Sequence, residues 1–142
     1  MLGQALLMLA VFPGGVIWGH HWQSRATGLI GALLFALAAV CGITGTVSLG
    51  KNLSPFPVPT AGARLVRNGI YGLIRHPLYT TVFLGALGCA LVFASWPALA
   101  AALCLGWFFD AKARVEERAL RRHFPEYAQY EKRVKRFIPF VY

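Results

Sequence analysis

A chain of 142 residues that is 57% hydrophobic and only 13% charged has too little polar surface to cover a soluble core of its size. Its mean hydropathy of +0.56 and net charge of +9 exclude an acidic or disordered chain and leave an integral membrane protein of a single domain. No charged side chain occurs over residues 1–19, 26–50 or 77–109, and each stretch is close to or beyond the ~20 apolar residues that cross a bilayer.

Taken in chain order, the first predicted span is Leu2–Gly19, with Pro13-Gly14-Gly15 expected to kink it or thin its packing. A cleaved signal peptide would carry a basic start and be followed by a soluble domain, and this stretch has neither. His20-His21 follows; an adjacent pair is poor metal-ligand geometry, so an interfacial role is expected. The second span is Gly28–Leu49, whose glycines at 28, 31, 42 and 45 let helices approach closely. Both spans lack charge and are expected to serve as scaffold. Residues 51–142 should carry the chemistry within the same domain. Asn52–Pro59 has prolines at 55, 57 and 59, which rules out helix and predicts an extended run along the membrane face.

The uncharged run Pro77–Phe109 decides the topology. As one helix its 33 residues would measure about 50 Å against a hydrocarbon core of about 30 Å. Trp96-Pro97 interrupts the run, and Ser95 is placed to cap a helix with proline in its first turn. A helical hairpin is therefore predicted, with one arm near Leu78–Ala94 and the other from Trp96 to about His123. Lys112, Arg114 and Arg118 can snorkel at the interface, and His123 suits the negative end of the helix. After Pro125, Glu126–Phe137 places Tyr127, Tyr130, Val134 and Phe137 at spacings of three and four, the pattern of an interfacial amphipathic helix or lid. Arg136-Phe137-Ile138-Pro139-Phe140 then turns back towards apolar contact. Cys41, Cys89 and Cys104 stand singly in apolar surroundings and are expected to be buried free thiols.

Four of the 14 basic residues lie over 51–76, nine lie between Lys112 and Arg136, and only Arg25 lies between the first two spans. The positive-inside rule then predicts about four spans with both termini cytoplasmic. Basic charge beside a bilayer also favours anionic headgroups. No nucleic-acid recognition motif accompanies it.

Ionisable residues held against a membrane are expensive, which marks two clusters as functional candidates. The first is Arg75-His76-Pro77-Leu78-Tyr79; the second, across the apolar hairpin, is Glu116-Glu117. Singly each has a plainer explanation. His76 can cap a helix, Arg75 can snorkel, Tyr71 and Tyr79 can sit in an aromatic belt, and the glutamates can pair with Lys112 and Arg121 at a spacing of four. Arg114 lies three residues before Glu117 and reads as a membrane anchor.

Together the segments Leu65–Tyr79, Glu116-Glu117-Arg118-Ala119-Leu120, the aromatics Phe124, Tyr127 and Tyr130, and Ile138-Pro139 resemble the isoprenylcysteine carboxyl methyltransferase and phospholipid N-methyltransferase family of membrane enzymes. The likeness covers Leu65 to Tyr142, with Ile70 standing where many members have proline. It implies an all-α polytopic fold ending in a helical hairpin and a cytoplasmic C-terminal helix. It also implies S-adenosylmethionine as methyl donor, with S-adenosylhomocysteine as product, and an amphiphilic, lipid-like acceptor bearing a carboxylate, amine or thiol. By the same likeness His76, Tyr79 and Glu116 or Glu117 would contact the cofactor, and backbone over Val66–Gly69 would close its pocket. Tyr71 and Arg75 would shape that pocket or orient the acceptor, with Arg75 and Glu117 as the candidate catalytic pair. Two rivals remain. Membrane sterol reductases have a similar aromatic ending and use NADPH, and a small lipid-binding membrane protein could keep the motif without activity.

Overall fold

The computed structural model describes residues 2–22, 24–50 and 64–142. Among these the regular structure is helical: α1 Leu2–Ile17, α2 Arg25–Leu49, α3 Pro77–Val92, α4 Trp96–His123 and α5 Tyr127–Arg133, with a 3-10 turn at Gly69–Gly72 before α3. The expected extended segment Asn52–Pro59 lies outside the described residues.

α1 continues through Pro13 without a break. α2, 25 residues long, is apolar enough to cross a membrane by length and composition, and only 11% of its most apolar window is buried within the chain. Leu29, Leu33, Ile43 and Val47 are among its exposed large side chains. α3 is a shorter apolar helix of 16 residues.

The chain forms two compact units, one from residues 1–40 and 81–109, the other from 41–80 and 110–142. In the first, α2 and α3 cross where neither carries a side chain. A Cβ on Gly31 would lie 2.8 Å from the Gly88 carbonyl oxygen, and one on Gly88 would lie 2.9 Å from that of Gly31. Backbone contact of this kind is what small residues permit between apolar helices. Of the three free cysteines, Cys89 is buried here, with its Sγ 3.7 Å from the Val11 carbonyl. Cys104 departs from expectation: it is exposed, because it falls off the face Ala98, Ala102, Leu105 and Phe109 that α4 buries.

The hairpin turn is built from two caps that share a residue. Ala94 takes a left-handed φ of 50°, so Ala94 N–H donates to the Leu91 carbonyl (3.3 Å) and Ser95 N–H to that of Ala90 (3.0 Å). That pair of bonds closes a helix C-terminus in the Schellman arrangement. Ser95 then starts α4: its Oγ accepts from Ala98 N–H at 3.3 Å and donates to the Trp18 carbonyl at 2.9 Å. The expected break at Ser95-Trp96-Pro97 is thus realised by a completed C-cap and an N-cap in succession. His20 and His21 N–H groups donate to the carbonyls of Phe93 and Ala94 at 2.7 and 2.9 Å.

The second unit holds the last turns of α2, the first turn of α3, the polar end of α4, and α5. Its apolar centre is Tyr127, Tyr130 and Val134, packed by Leu65, Leu120 and Phe124. The amphipathic helix expected over Glu126–Phe137 stops at Arg133. The reason lies at the start of α3. His76 precedes Pro77 and is held out of the helical region, so the Arg75 and His76 N–H groups need outside acceptors. Residues 134–136 supply them: Ile74 and Lys135 form a parallel bridge, Arg75 N–H donates to Lys135 O (2.9 Å) and His76 N–H to Arg136 O (3.1 Å).

Two substitutions at the hairpin turn should have opposite signs. Ala94→Gly removes the cost of a left-handed Cβ and should stabilise by about 1 kcal/mol. Ser95→Ala loses an N-cap and should destabilise by about 0.5–2 kcal/mol. Thermal unfolding in detergent reads both.

Candidate functional site

The buried face of α4 runs Ala98, Ala102, Leu105, Phe109, Ala113 and then Glu117, at spacings of three and four. An ionised carboxylate therefore occupies the next place in an apolar stripe. Glu117 is 1% exposed and demands compensation, since an unpaired buried charge is among the costliest features a fold can carry. Two arginines and an imidazole provide it. Arg136 grips both oxygens, Nη2 to Oε2 at 2.8 Å and Nε to Oε1 at 3.0 Å. Arg75 Nη2 lies 3.0 Å from Oε1, and His76 Nε2 lies 3.2 Å from the same oxygen. Burial alone would raise the Glu117 pKa, but the bonds from His76 and Arg136 and the charge of Arg75 outweigh it and bring it down to about 2.

Glu116 is held differently. Tyr79 Oη donates to its Oε2 at 2.7 Å, and His76 Nδ1 stands 3.8 Å from that oxygen. The His76 ring lies parallel to that of Tyr79, centroids 5.3 Å apart, with Lys112 Nζ 5.2 Å from the Tyr79 centroid. The Glu116 side chain is 25% exposed, against 1% for Glu117. Burial and then the Glu116 charge push the Tyr71 phenol up to about 12, so Tyr71 is a neutral neighbour of that carboxylate. The Tyr71 carbonyl is fastened by Tyr130 Oη at 2.6 Å.

Arg75, His76, Tyr79, Glu116 and Glu117 are thus brought together from segments about forty residues apart in sequence, with Tyr71 beside them. Val66 and Gly69 form no hydrogen bond to the glutamate pair. Gly69 instead has φ +59° and presses on α2, where a Cβ would lie 2.7 Å from Ser48 Oγ. Of the two alternative partners of the glutamates, Arg121 pairs with Glu131, Nη2 to Oε2 at 2.6 Å; Arg114, three residues before Glu117, bonds Asp110 through Nε at 2.8 Å.

Sequence reasoning passed over Arg136, Asp110, Glu131 and Tyr142. Arg136 Nη1 reaches Asp110 at 2.8 Å while its other nitrogens hold Glu117. Asp110 and Glu117 are seven residues apart, two turns on one face of α4, so one long cation can clamp both. Arg75 Nη1 donates to the Glu131 carbonyl at 3.1 Å, and Tyr142 Oη to Asp110 at 2.9 Å. A usable signal was present: all five acids of this basic chain fall between Asp110 and Glu131. Two buried polar atoms have no partner among the described residues, Arg75 Nε and Tyr127 Oη. No group of three or more His, Cys, Asp or Glu among the described residues is placed to hold a metal ion.

A model of the phospholipid methyltransferase family matches residues 26–127, which take in the arginine–histidine motif and the glutamate pair. The chain belongs to this family. Its curated relatives include the nickel-cobalt-cadmium resistance protein NccN of Alcaligenes xylosoxydans xylosoxydans, 30% identical over 95% of this chain and 60% of that protein. The cobalt-zinc-cadmium resistance protein CzcN of Cupriavidus metallidurans is 41% identical over 86% of this chain and 53% of its own length. Protein-S-isoprenylcysteine O-methyltransferase of Saccharomyces cerevisiae is 28% identical over 97% of this chain and 59% of that protein. The chain therefore spans between about half and three fifths of the length of these relatives.

The charge cluster makes a signed prediction. Glu117 has a folded pKa of about 2 against an ordinary 4.5, so its stabilising effect is complete above about pH 4.5 and disappears as pH falls through about 2. Glu117→Gln strands two arginines and should cost about 3–5 kcal/mol at neutral pH. Denaturation of the detergent-solubilised protein against pH should show this variant with a flatter acid limb than the wild type.

Proposed function

We propose that this member of the phospholipid methyltransferase family transfers a methyl group from S-adenosylmethionine to an amphiphilic, lipid-like acceptor at the cytoplasmic face of a membrane. The acceptor carries a carboxylate, amine or thiol as nucleophile. The proposal includes the four-span topology with both termini cytoplasmic, for which the charge distribution is the support. The observation that carries the reading is the meeting of Arg75, His76 and Tyr79 with Glu116 and Glu117.

The cofactor has a carboxylate, an ammonium, a ribose diol and a sulfonium whose methyl it supplies. The residues present suit those groups. Arg75 Nε is a buried donor without a partner, which an anionic group can occupy. Glu116, partly exposed and bonded by Tyr79 through one oxygen, retains acceptor capacity for an ammonium or a diol.

This divides the glutamate pair. Both oxygens of Glu117 are committed to Arg136, Arg75 and His76, so its proposed part is that of a positioning residue that fixes the arginines and the imidazole. Glu116 takes the part facing the ligand. His76, stacked on Tyr79 and set between the carboxylates, orients that wall of the site. Methyl transfer is an in-line displacement, so the chain's main task is to hold donor and acceptor in line and to exclude water.

Calorimetric titration of detergent-purified protein with S-adenosylhomocysteine and, separately, NADPH tests the reading. Binding of the first alone is expected. Glu116→Gln should weaken it by about tenfold to a hundredfold, the worth of a charge-assisted hydrogen bond, with the unfolding temperature nearly unchanged. His76→Ala should weaken it too without loss of membrane insertion. Binding of NADPH alone would move the protein to the reductases, and binding of neither by folded protein would leave a non-enzymatic role.

A further inference from the structure

After Arg136 the chain closes a tight loop on itself. The Tyr142 carbonyl accepts from Phe137 N–H at 2.7 Å and Ile138 N–H at 2.8 Å, and Tyr142 N–H donates back to the Ile138 carbonyl at 3.1 Å. The loop is pinned through the Tyr142 ring, whose Oη donates to Asp110 Oδ1 at 2.9 Å and whose face lies 5.6 Å from the Arg136 guanidinium. At its tip Phe140 adopts φ +64° with 88% of the residue exposed. A left-handed backbone is unfavourable for a bulky residue, and an exposed ring returns nothing within the chain to offset it. Ile138 and Val141, beside it, are 53% and 70% exposed.

The pin sets the depth of this loop. Asp110 is the first charged residue after the uncharged run Pro77–Phe109, so the loop is tied where the apolar sequence ends. Lys132, Arg133 and Lys135, immediately before it, are all exposed. An apolar tip with exposed basic side chains at its base is the pattern of an interfacial anchor on an anionic membrane.

We propose that residues Phe137–Tyr142 form a preformed membrane clasp: Ile138, Phe140 and Val141 immerse at the boundary between acyl chains and headgroups, and Lys132, Arg133 and Lys135 meet anionic headgroups. This rests on the membrane reading above but on no property of the cofactor. The bilayer supplies the apolar contact that the left-handed Phe140 lacks. Arg136 also holds Glu117, so the clasp and the ligand-facing wall share one guanidinium.

The test uses the full chain in nanodiscs of phosphatidylcholine with phosphatidylglycerol. An environment-sensitive fluorophore is attached at Phe140→Cys, or at Val141→Cys as a second site, with Cys41 and Cys104 replaced by serine. Blue-shifted emission, quenched by lipids carrying a nitroxide near the headgroup and protected from iodide, is expected at both sites. Replacing all phosphatidylglycerol by phosphatidylcholine should raise the access of acrylamide, a neutral quencher indifferent to surface potential, at least about twofold, as lost headgroup attraction lets the loop rise. Water-like emission with open iodide access at both sites, in protein that elutes as a single folded species, overturns the proposal. Acrylamide access indifferent to lipid charge overturns its anionic part. Since no cofactor enters the readout, a chain that fails to bind S-adenosylhomocysteine can still pass, and one that binds it can still fail.

Discussion

The structure of the second unit depends on one constraint: an ionised carboxylate at Glu117, placed where the α4 stripe would otherwise carry an apolar side chain. Desolvation of that charge is unfavourable by itself and becomes tolerable only when hydrogen-bonded cations surround it. Arg136 and Arg75 do so at 2.8 to 3.0 Å, joined by the His76 imidazole at 3.2 Å. Because those groups come from two separate places in the chain, satisfying Glu117 draws the start of α3 and the segment after α5 onto α4. Backbone bonds of Arg75 and His76 to Lys135 and Arg136 register the same segments, so side-chain and main-chain requirements agree.

In the proposed methyl transfer the adjacent glutamates divide the labour. Neighbours on a helix point about 100° apart, so a pair of identical side chains meets two environments. Glu117 faces inward and is saturated, whereas Glu116 lies at the edge of the stripe with Tyr79 and part of its surface open. A site that must receive a zwitterionic ligand needs both kinds of group, a rigid charged frame and an acceptor with capacity to spare. That requirement is general to small charged ligands and does not depend on which acceptor nucleophile is used.

The family match covers α2, α3, α4 and both halves of the charge cluster but stops at residue 127, before Arg136 and the C-terminal loop. The contribution of Arg136 therefore stands on the geometry alone. Relatives that carry metal-resistance names and relatives named as methyltransferases both align over most of this chain, and both are considerably longer than it.

Much of the helical order was legible before any coordinates. Charge-free runs bounded α2, and the Ser95-Trp96-Pro97 break located the hairpin turn to within two residues, because helix starts and the length of an apolar run are local properties. Arg75, His76, Tyr79 and the glutamate pair were also visible, since polar residues at the edges of apolar runs stand out one at a time. What the sequence could not settle was which cation neutralises which acid. Fourteen basic residues compete for five acids, and local spacing favoured Lys112 and Arg121 as partners of the glutamates. Tertiary structure chose otherwise: Arg121 went to Glu131, while Arg136, 19 residues beyond Glu117, became its principal partner. The early end of α5 has the same origin, because residues 134–136 are claimed by unsatisfied N–H groups before Pro77. The limits of α2, α3 and α4 follow from neighbours along the chain, and so the sequence by itself determined them. Charge pairing follows from which groups are buried together, and only the folded structure decides that.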